Sequence, residues 1–270
     1  HETQWNPPDS IENYKQINSS QQNYSIDEIT YSFNDEGYRC DSFLEESELP
    51  ILFMGCSFTE GVGLPLHEVW SYHLHERIAN ITNKKIPFWS LGKGGTSIDY
   101  AARCFYEYSP LLKPKYVFYL MSGISRREYK YGSNEIHGWF PNPTSLFKPS
   151  DGFKTMNKVF ADPNFASYQT LRSAMILNSV AARLNTKIFI FGLNMDAVVN
   201  ESSKIELFKK FDNIEYFPVN FTHKNLALSI SETILSRPNK ARDNSHPGAV
   251  WHYTLHDTMW RLIENKICKG

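Results

Sequence analysis

No CxxC pair occurs anywhere in the 270 residues, and there are only four cysteines. Cys40, Cys56, Cys104 and Cys268 are too scattered for a disulfide framework or a thiolate zinc site, so they read as reduced thiols packed as small hydrophobes. Charge of one sign is lacking too. With 28 Lys and Arg against 29 Asp and Glu the formal charge is -1, without the cationic excess that a nucleic-acid backbone demands. The densest basic cluster, Arg126, Arg127 and Lys130, is too short to form a basic stripe. No apolar run is long enough to span a bilayer, and the opening HETQWNPPDS lacks the apolar core of a signal peptide. A soluble protein is expected, either cytoplasmic or secreted after cleavage. Nucleotide loops are missing as well, since no GK[ST] follows the GVG at 61–63 and no GxGxxG follows an apolar run. His252 and His256 stand one helical turn apart, a spacing metals use, yet no third ligand is near them in sequence. No metal and no cofactor are expected.

What is present is an alternation. Residues 1–48 are polar, rich in Asn, Gln, Ser and Glu, and read as an N-terminal extension in which NDEG, between two short β-prone pieces, predicts a hairpin. From residue 49 to 270 apolar runs alternate with helical patterns. ILFMG (51–55), IPFWSLG (86–92), KYVFYLMSG (115–123), KIFIFGLN (187–194) and IEYFPVN (214–220) are the strand candidates. Between and after them, LHEVWSYHLHERIANI, SIDYAARCFYEYSPLL, SYQTLRSAMILNSVAARLN and the stretch from about Ala249 to Lys266 read as helices. His67, His73 and His75 are expected on a helix surface. Continuous apolar strands separated by helices imply a parallel sheet of about five strands covered on both faces, a three-layer α/β/α flavodoxin-like domain. An aromatic, Gly- and Pro-rich insertion at about 124–165 interrupts it, of a length that usually makes a lid or binding loop.

In such a sheet ligands bind beyond the C-terminal ends of the strands. That edge receives Ser57, directly after the first strand, together with the loops at 92–97 and 123–127. Acyl transfer needs an activated hydroxyl, a base, a group that orients the base, and donors for the oxyanion. Ser57 offers the hydroxyl. DNSHP offers Asp243 and His246 three residues apart, so that one loop can hold carboxylate and imidazole together. Alternation turns Cys56 away from Ser57 and into the core.

GCSFTEGVG, SLGKGGTS and DNSH together resemble the SGNH hydrolases, the GDSL esterase and lipase superfamily. The resemblance runs from about Pro50 to the C-terminus. It implies Ser57 as nucleophile, His246 as base and Asp243 as its orienter. It also implies an oxyanion hole from the Ser57 and Gly95 amides, with Gly94 the weaker choice. Upstream, NDEGYR resembles an N-x-x-G-[FY]-R segment that precedes this domain in some relatives. The family's third block, GxND, reads GISR here, so Ser125 falls where the oxyanion-binding Asn belongs. A hydroxyl is a shorter donor, and losing a good one costs about 10²–10³ in rate. Arg126 and Arg127 follow at the mouth, where a guanidinium could hold an anionic substrate group. The expectation is a serine esterase acting on a small-molecule or glycan ester, an acetylated carbohydrate foremost. A glycan-binding or structural protein that keeps the fold without catalysis is the rival, and a nucleotide-binding flavodoxin-like module the third reading.

Overall fold

The structure, a computed structural model, describes residues 1–17, 19, 22–124, 126–131, 135–139, 158–159, 162–193, 201–219 and 240–268. Strands β3 (Ile51–Met54), β4 (Tyr116–Met121), β7 (Lys187–Leu193) and β8 (Ile214–Val219) form a four-stranded parallel sheet flanked by helices, in the order β3-β4-β7-β8. β4 and β7 run parallel in register from Tyr116–Lys187 to Met121–Gly192. Every residue of ILFM and YVFYLM is buried, as a sheet covered on both faces requires. The expected strand over 86–92 touches β3 through one parallel bridge, Phe53 with Ser90. Its pairing stops there because Pro87 has no N–H, while the Phe88 N–H donates to Asp41 Oδ2 (2.8 Å) and its carbonyl accepts from the Asp41 N–H (3.0 Å).

The chain divides into two compact units. One comprises residues 1–53, 57–94 and 219–270. In it α3 (Trp70–Thr82) packs against α7 (Ala249–Cys268), joining Trp70, Leu74 and Ile78 to the buried Trp251, Leu255, Met259 and Ile263 side. Its N-terminal segment carries β1 (Glu2–Thr3), the helix α1 (Ile11–Gln16) capped by Ser10, and β2 (Tyr31–Ser32). The turn at NDEG forms, with the Tyr38 N–H donating to Asn34 Oδ1 (2.9 Å) and Gly37 at φ +79°. Tyr31–Ser32 nonetheless pairs antiparallel with Glu2–Thr3.

The other unit comprises residues 54–56 and 95–218. Its helices α4 (Ile98–Leu112) and α5 (Pro163–Leu184) pack on each other. Each begins at a side-chain cap, Ser97 Oγ accepting from Tyr100 and Asp162 Oδ1 from Phe165. β5 (Arg127–Tyr131) and β6 (Glu135–Trp139) make an antiparallel ribbon, and α6 (Glu201–Phe208) precedes β8. Most of the aromatic insertion lies outside the described residues. Among the described residues no helix is long and apolar enough to cross a membrane.

Candidate active site

After β3 the chain turns into a four-residue helix, α2 (Ser57–Glu60), every residue of which is buried. The Ser57 carbonyl closes the turn, accepting from Gly61 (2.9 Å) and Val62 (3.1 Å). Two residues on, Gly63 is left-handed at φ +77°, and a Cβ there would stand 2.8 Å from Ala241 Cβ. Only glycine permits both the dihedral and the approach. The approach links the Ser57 turn to the DNSHP loop, because the Gly63 carbonyl accepts the Arg242 N–H at 2.8 Å. Cys56 is buried, as alternation predicts.

The DNSHP loop is built around one carboxylate. Asp243 Oδ1 accepts the backbone N–H groups of Ser245 and His246, each at 3.1 Å. Oδ2 takes the Ser245 hydroxyl and His246 Nδ1, each at 2.5 Å. Asn244 accommodates the tight turn with a left-handed φ of +56°. Burial pushes the Asp243 carboxyl up, but its hydrogen bond to His246, the charge there and the Ser245 hydroxyl outweigh this and hold it below its ordinary value. An ionised carboxylate on Nδ1 fixes the ring's proton at that atom and leaves Nε2 with its lone pair. The His246 side chain keeps 14% of its surface exposed. Its ring meets Phe58, the residue after Ser57, edge-on with centroids 5.8 Å apart. Ser57 Oγ and His246 make no hydrogen bond to each other among the described residues, a contact that commonly tightens only with substrate bound.

The polar N-terminal segment clamps both loops from behind. Arg242 is fully buried and paired with Asp9 (2.8 Å), and it also donates to the Ile26 and Gln4 carbonyls and stacks 4.2 Å over Trp5. Tyr31 donates to Asp9 Oδ2 (2.6 Å) and accepts the Gly63 N–H (2.7 Å), so a single hydrogen-bonded chain runs from the turn after Ser57 to the residue before Asp243. Arg39 donates to the carbonyls of Glu60 (3.1 Å), Gly61 (2.8 Å) and Leu64 (2.9 Å). The Arg of the NDEGYR segment thus satisfies carbonyls that a four-residue helix leaves unpaired. Asp9, Tyr31 and Arg242 carry no motif that sequence reasoning could have used.

SLGKGG packs on the same turn. A Cβ at Gly92 would come 2.8 Å from Thr59 Cγ2, so that loop touches α2 backbone to side chain. The Gly94 N–H donates to Glu60 Oε2 at 2.5 Å. Gly95 is left-handed at φ +78°. Ser125 lies outside the described residues. Arg126 is half-buried, and its N–H donates to the Gly123 carbonyl (3.1 Å). Arg127 is buried, and its guanidinium donates to the carbonyls of Arg126 (2.7 Å) and Ala166 (3.0 Å).

Of the helix histidines, His75, His252 and His256 are buried, whereas His73 is half-buried and His67 exposed. His252 Nδ1 accepts the Trp70 N–H (3.1 Å), and burial lowers its pKa to about 3. His75, expected on a helix surface, is buried with Nε2 2.7 Å from the Ile86 carbonyl, because α3 turns that side toward Phe88. Among the described residues no group of three His, Cys, Asp or Glu is gathered that could hold a metal ion.

No family model matches the chain, and neither does any curated protein. Solved structures do. The psychrotrophic esterase EstA from Pseudoalteromonas sp., inhibited by monoethylphosphonate, superposes with a TM-score of 0.50 at 13% identity, over 80% of this chain and 97% of its own. The chain has the SGNH-hydrolase fold. An acetyl xylan esterase, AlAXEase, superposes on that fold with TM-score 0.50 at 14% identity over 79% of this chain and 98% of its own. A two-domain esterase active on acetylated mannans also reaches 0.50, at 12% identity over 82% of this chain and half of that one.

Proposed function

We propose that the protein is a serine esterase that hydrolyses a carboxylic ester through Ser57, His246 and Asp243. The observation that carries this reading is the Asp243–His246 pair, 2.5 Å apart at Nδ1, on a loop tied by Gly63 to the turn of Ser57. In the first half-reaction Ser57 Oγ bonds to the acyl carbon and passes its proton to His246 Nε2. The C–O bond to the alcohol then breaks, and the leaving oxygen takes that proton. Water repeats the sequence on the acyl-enzyme and releases the acid. Asp243 holds the ring in its tautomer and stabilises the imidazolium that forms. The amides of Ser57 and Gly95 hold the oxyanion, with Ser125 in place of the family's Asn. Arg126 is the guanidinium at the mouth, while Arg127 supports the backbone.

The substrate we assign is an acetyl ester on a carbohydrate. The acetyl xylan and acetylated mannan esterases of the same fold support it, as does the aromatic content of the insertion. The departure GISR favours a second reading, a carbohydrate-binding protein that keeps the fold without turnover. Hydrolysis of p-nitrophenyl acetate and acetylated xylan by wild type and Ser57→Ala separates the two. The esterase reading expects a loss of at least about 10³-fold in Ser57→Ala and covalent labelling of Ser57 by a fluorophosphonate. Equal rates in the two proteins, with no label, would leave the binding protein.

A further inference from the structure

Glu60 is a buried carboxylate one turn after Ser57 that the mechanism above does not use. Burying such a group is costly unless its oxygens find donors. Each does. Oε1 accepts Asn6 Nδ2 at 2.9 Å, and Oε2 accepts the Gly94 N–H at 2.5 Å. A Cβ on Gly94 would lie 3.1 Å from Glu60 Oε2 and 3.8 Å from Ser57 Cβ, so the peptide that Glu60 grips stands directly against the nucleophile.

We propose that Glu60 is a positioning residue for the oxyanion loop, itself held by Asn6 of the N-terminal segment. This rests on the esterase reading. With the Gly94 N–H engaged by Oε2, the next amide along the chain, that of Gly95, is the one left to receive the oxyanion. Fixing one peptide of a two-glycine step fixes the direction of the next, in a sequence whose glycines otherwise allow many. A carboxylate suits the task because it has two acceptor faces and no donor, so it takes two N–H groups at once. Asn6 thereby makes the first residues of the chain part of the apparatus around Ser57.

Glu60→Ala is expected to lower kcat about 10²-fold with KM within about twofold, the scale of a misplaced group in an otherwise intact site. Asn6→Asp faces one carboxylate with another and is expected to lower kcat about tenfold. The decisive protein is Asn6→Asp combined with Glu60→Gln. There the amide oxygen of the introduced glutamine takes the Gly94 N–H, its NH₂ donates to the introduced aspartate, and kcat returns to within about threefold of wild type. Hydrogen exchange at the Gly94 amide needs no substrate, and protection is expected in wild type and the double variant but lost in Asn6→Asp and Glu60→Ala.

Overturning results are a folded Glu60→Ala with wild-type kcat, a double variant no better than Asn6→Asp alone, or unchanged Gly94 protection in Glu60→Ala. Should Glu60→Ala fail to fold, the other two proteins decide. Loss of Gly94 protection in a protein whose wild type shows no Ser57-dependent turnover would sink the esterase reading while leaving Glu60 as the holder of the loop.

Discussion

His246 and His252 lie six residues apart and are built for opposite ends. The difference lies in what faces Nδ1. At His246 it is a carboxylate oxygen, so Nδ1 carries the proton and Nε2 the lone pair. At His252 it is the backbone N–H of Trp70, so Nδ1 must be the acceptor and the proton sits on Nε2. His246 keeps part of its ring open, whereas His252 is 1% exposed and sits edge-on to Trp251. Burial, then the nearby His246 and His73, lower its pKa to about 3. The proposed reaction asks the first imidazole to exchange a proton, while burial sets the second against taking one. An acidic partner at Nδ1, with some access to solvent, is what separates a candidate base from a core residue of the same type.

Removing that partner is the strongest way to break the contrast. Asp243→Asn keeps the size of the side chain but can present an NH₂ to Nδ1, which would favour the tautomer His252 already has. We expect kcat on p-nitrophenyl acetate to fall about 10⁴-fold with little change in KM. A loss of less than about tenfold would mean that the tautomer of His246 is irrelevant to turnover.

A second test separates the supports of the two rings. The loop of His246 hangs on the buried Asp9–Arg242 pair, whereas His252 is held by the packing of α7 on α3. Asp9→Asn would leave the Arg242 guanidinium buried without its counter-charge, at a cost of about 3–5 kcal/mol. Urea unfolding measures the loss, and amide exchange locates it. Residues 241–247 are expected to lose protection well before the middle of α7. Uniform loss across both would show that the pair supports the whole unit rather than the loop.

The sequence made some of this legible and hid the rest for physical reasons. β4 and β7 could be read because burial on both faces demands uninterrupted apolar runs, and KYVFYLM and KIFIF are such runs. Ser57, Asp243 and His246 could be proposed because acyl transfer restricts residue type and, for the last two, spacing, and the structure does bring Asp243 and His246 together. The 86–92 segment looked like a full strand because hydrophobicity does not report that Pro87 and Asp41 divert its backbone bonds. His75 looked exposed because a helical wheel does not say how wide a face its neighbours cover. Asp9, Tyr31 and Arg242 were invisible. Their partnership spans 233 positions between Asp9 and Arg242, and no local pattern encodes so distant a pairing. The polar composition of residues 1–48 suggested an extension wrapped on the domain, and part of that polarity is spent inside, on the loops that carry the candidate site.

The smallest expected effect reads the buried histidine directly. In the folded protein His252 stays neutral until about pH 3, while in the unfolded chain an imidazole takes up its proton below about pH 6.5. The unfolded state therefore binds more protons between those values. The contribution is complete above pH 6.5 and is lost as the pH falls, with a slope of about 1.4 kcal/mol per pH unit for one such group. His73, lowered to about 4 by burial and by His256 and His67, acts in the same direction. Asp243, held below its ordinary value, adds its own loss only beneath about pH 4. His252→Asn keeps an acceptor for the Trp70 N–H but cannot titrate. It should cost about 1–2 kcal/mol at pH 7 through lost packing and should flatten the fall in stability between pH 6 and 4 by about one proton's slope. Urea midpoints at pH 7, 6, 5 and 4 supply the comparison. Parallel curves for wild type and variant would mean that His252 takes up its proton in the folded state as readily as in the unfolded one, and that its burial does not set it apart from His246.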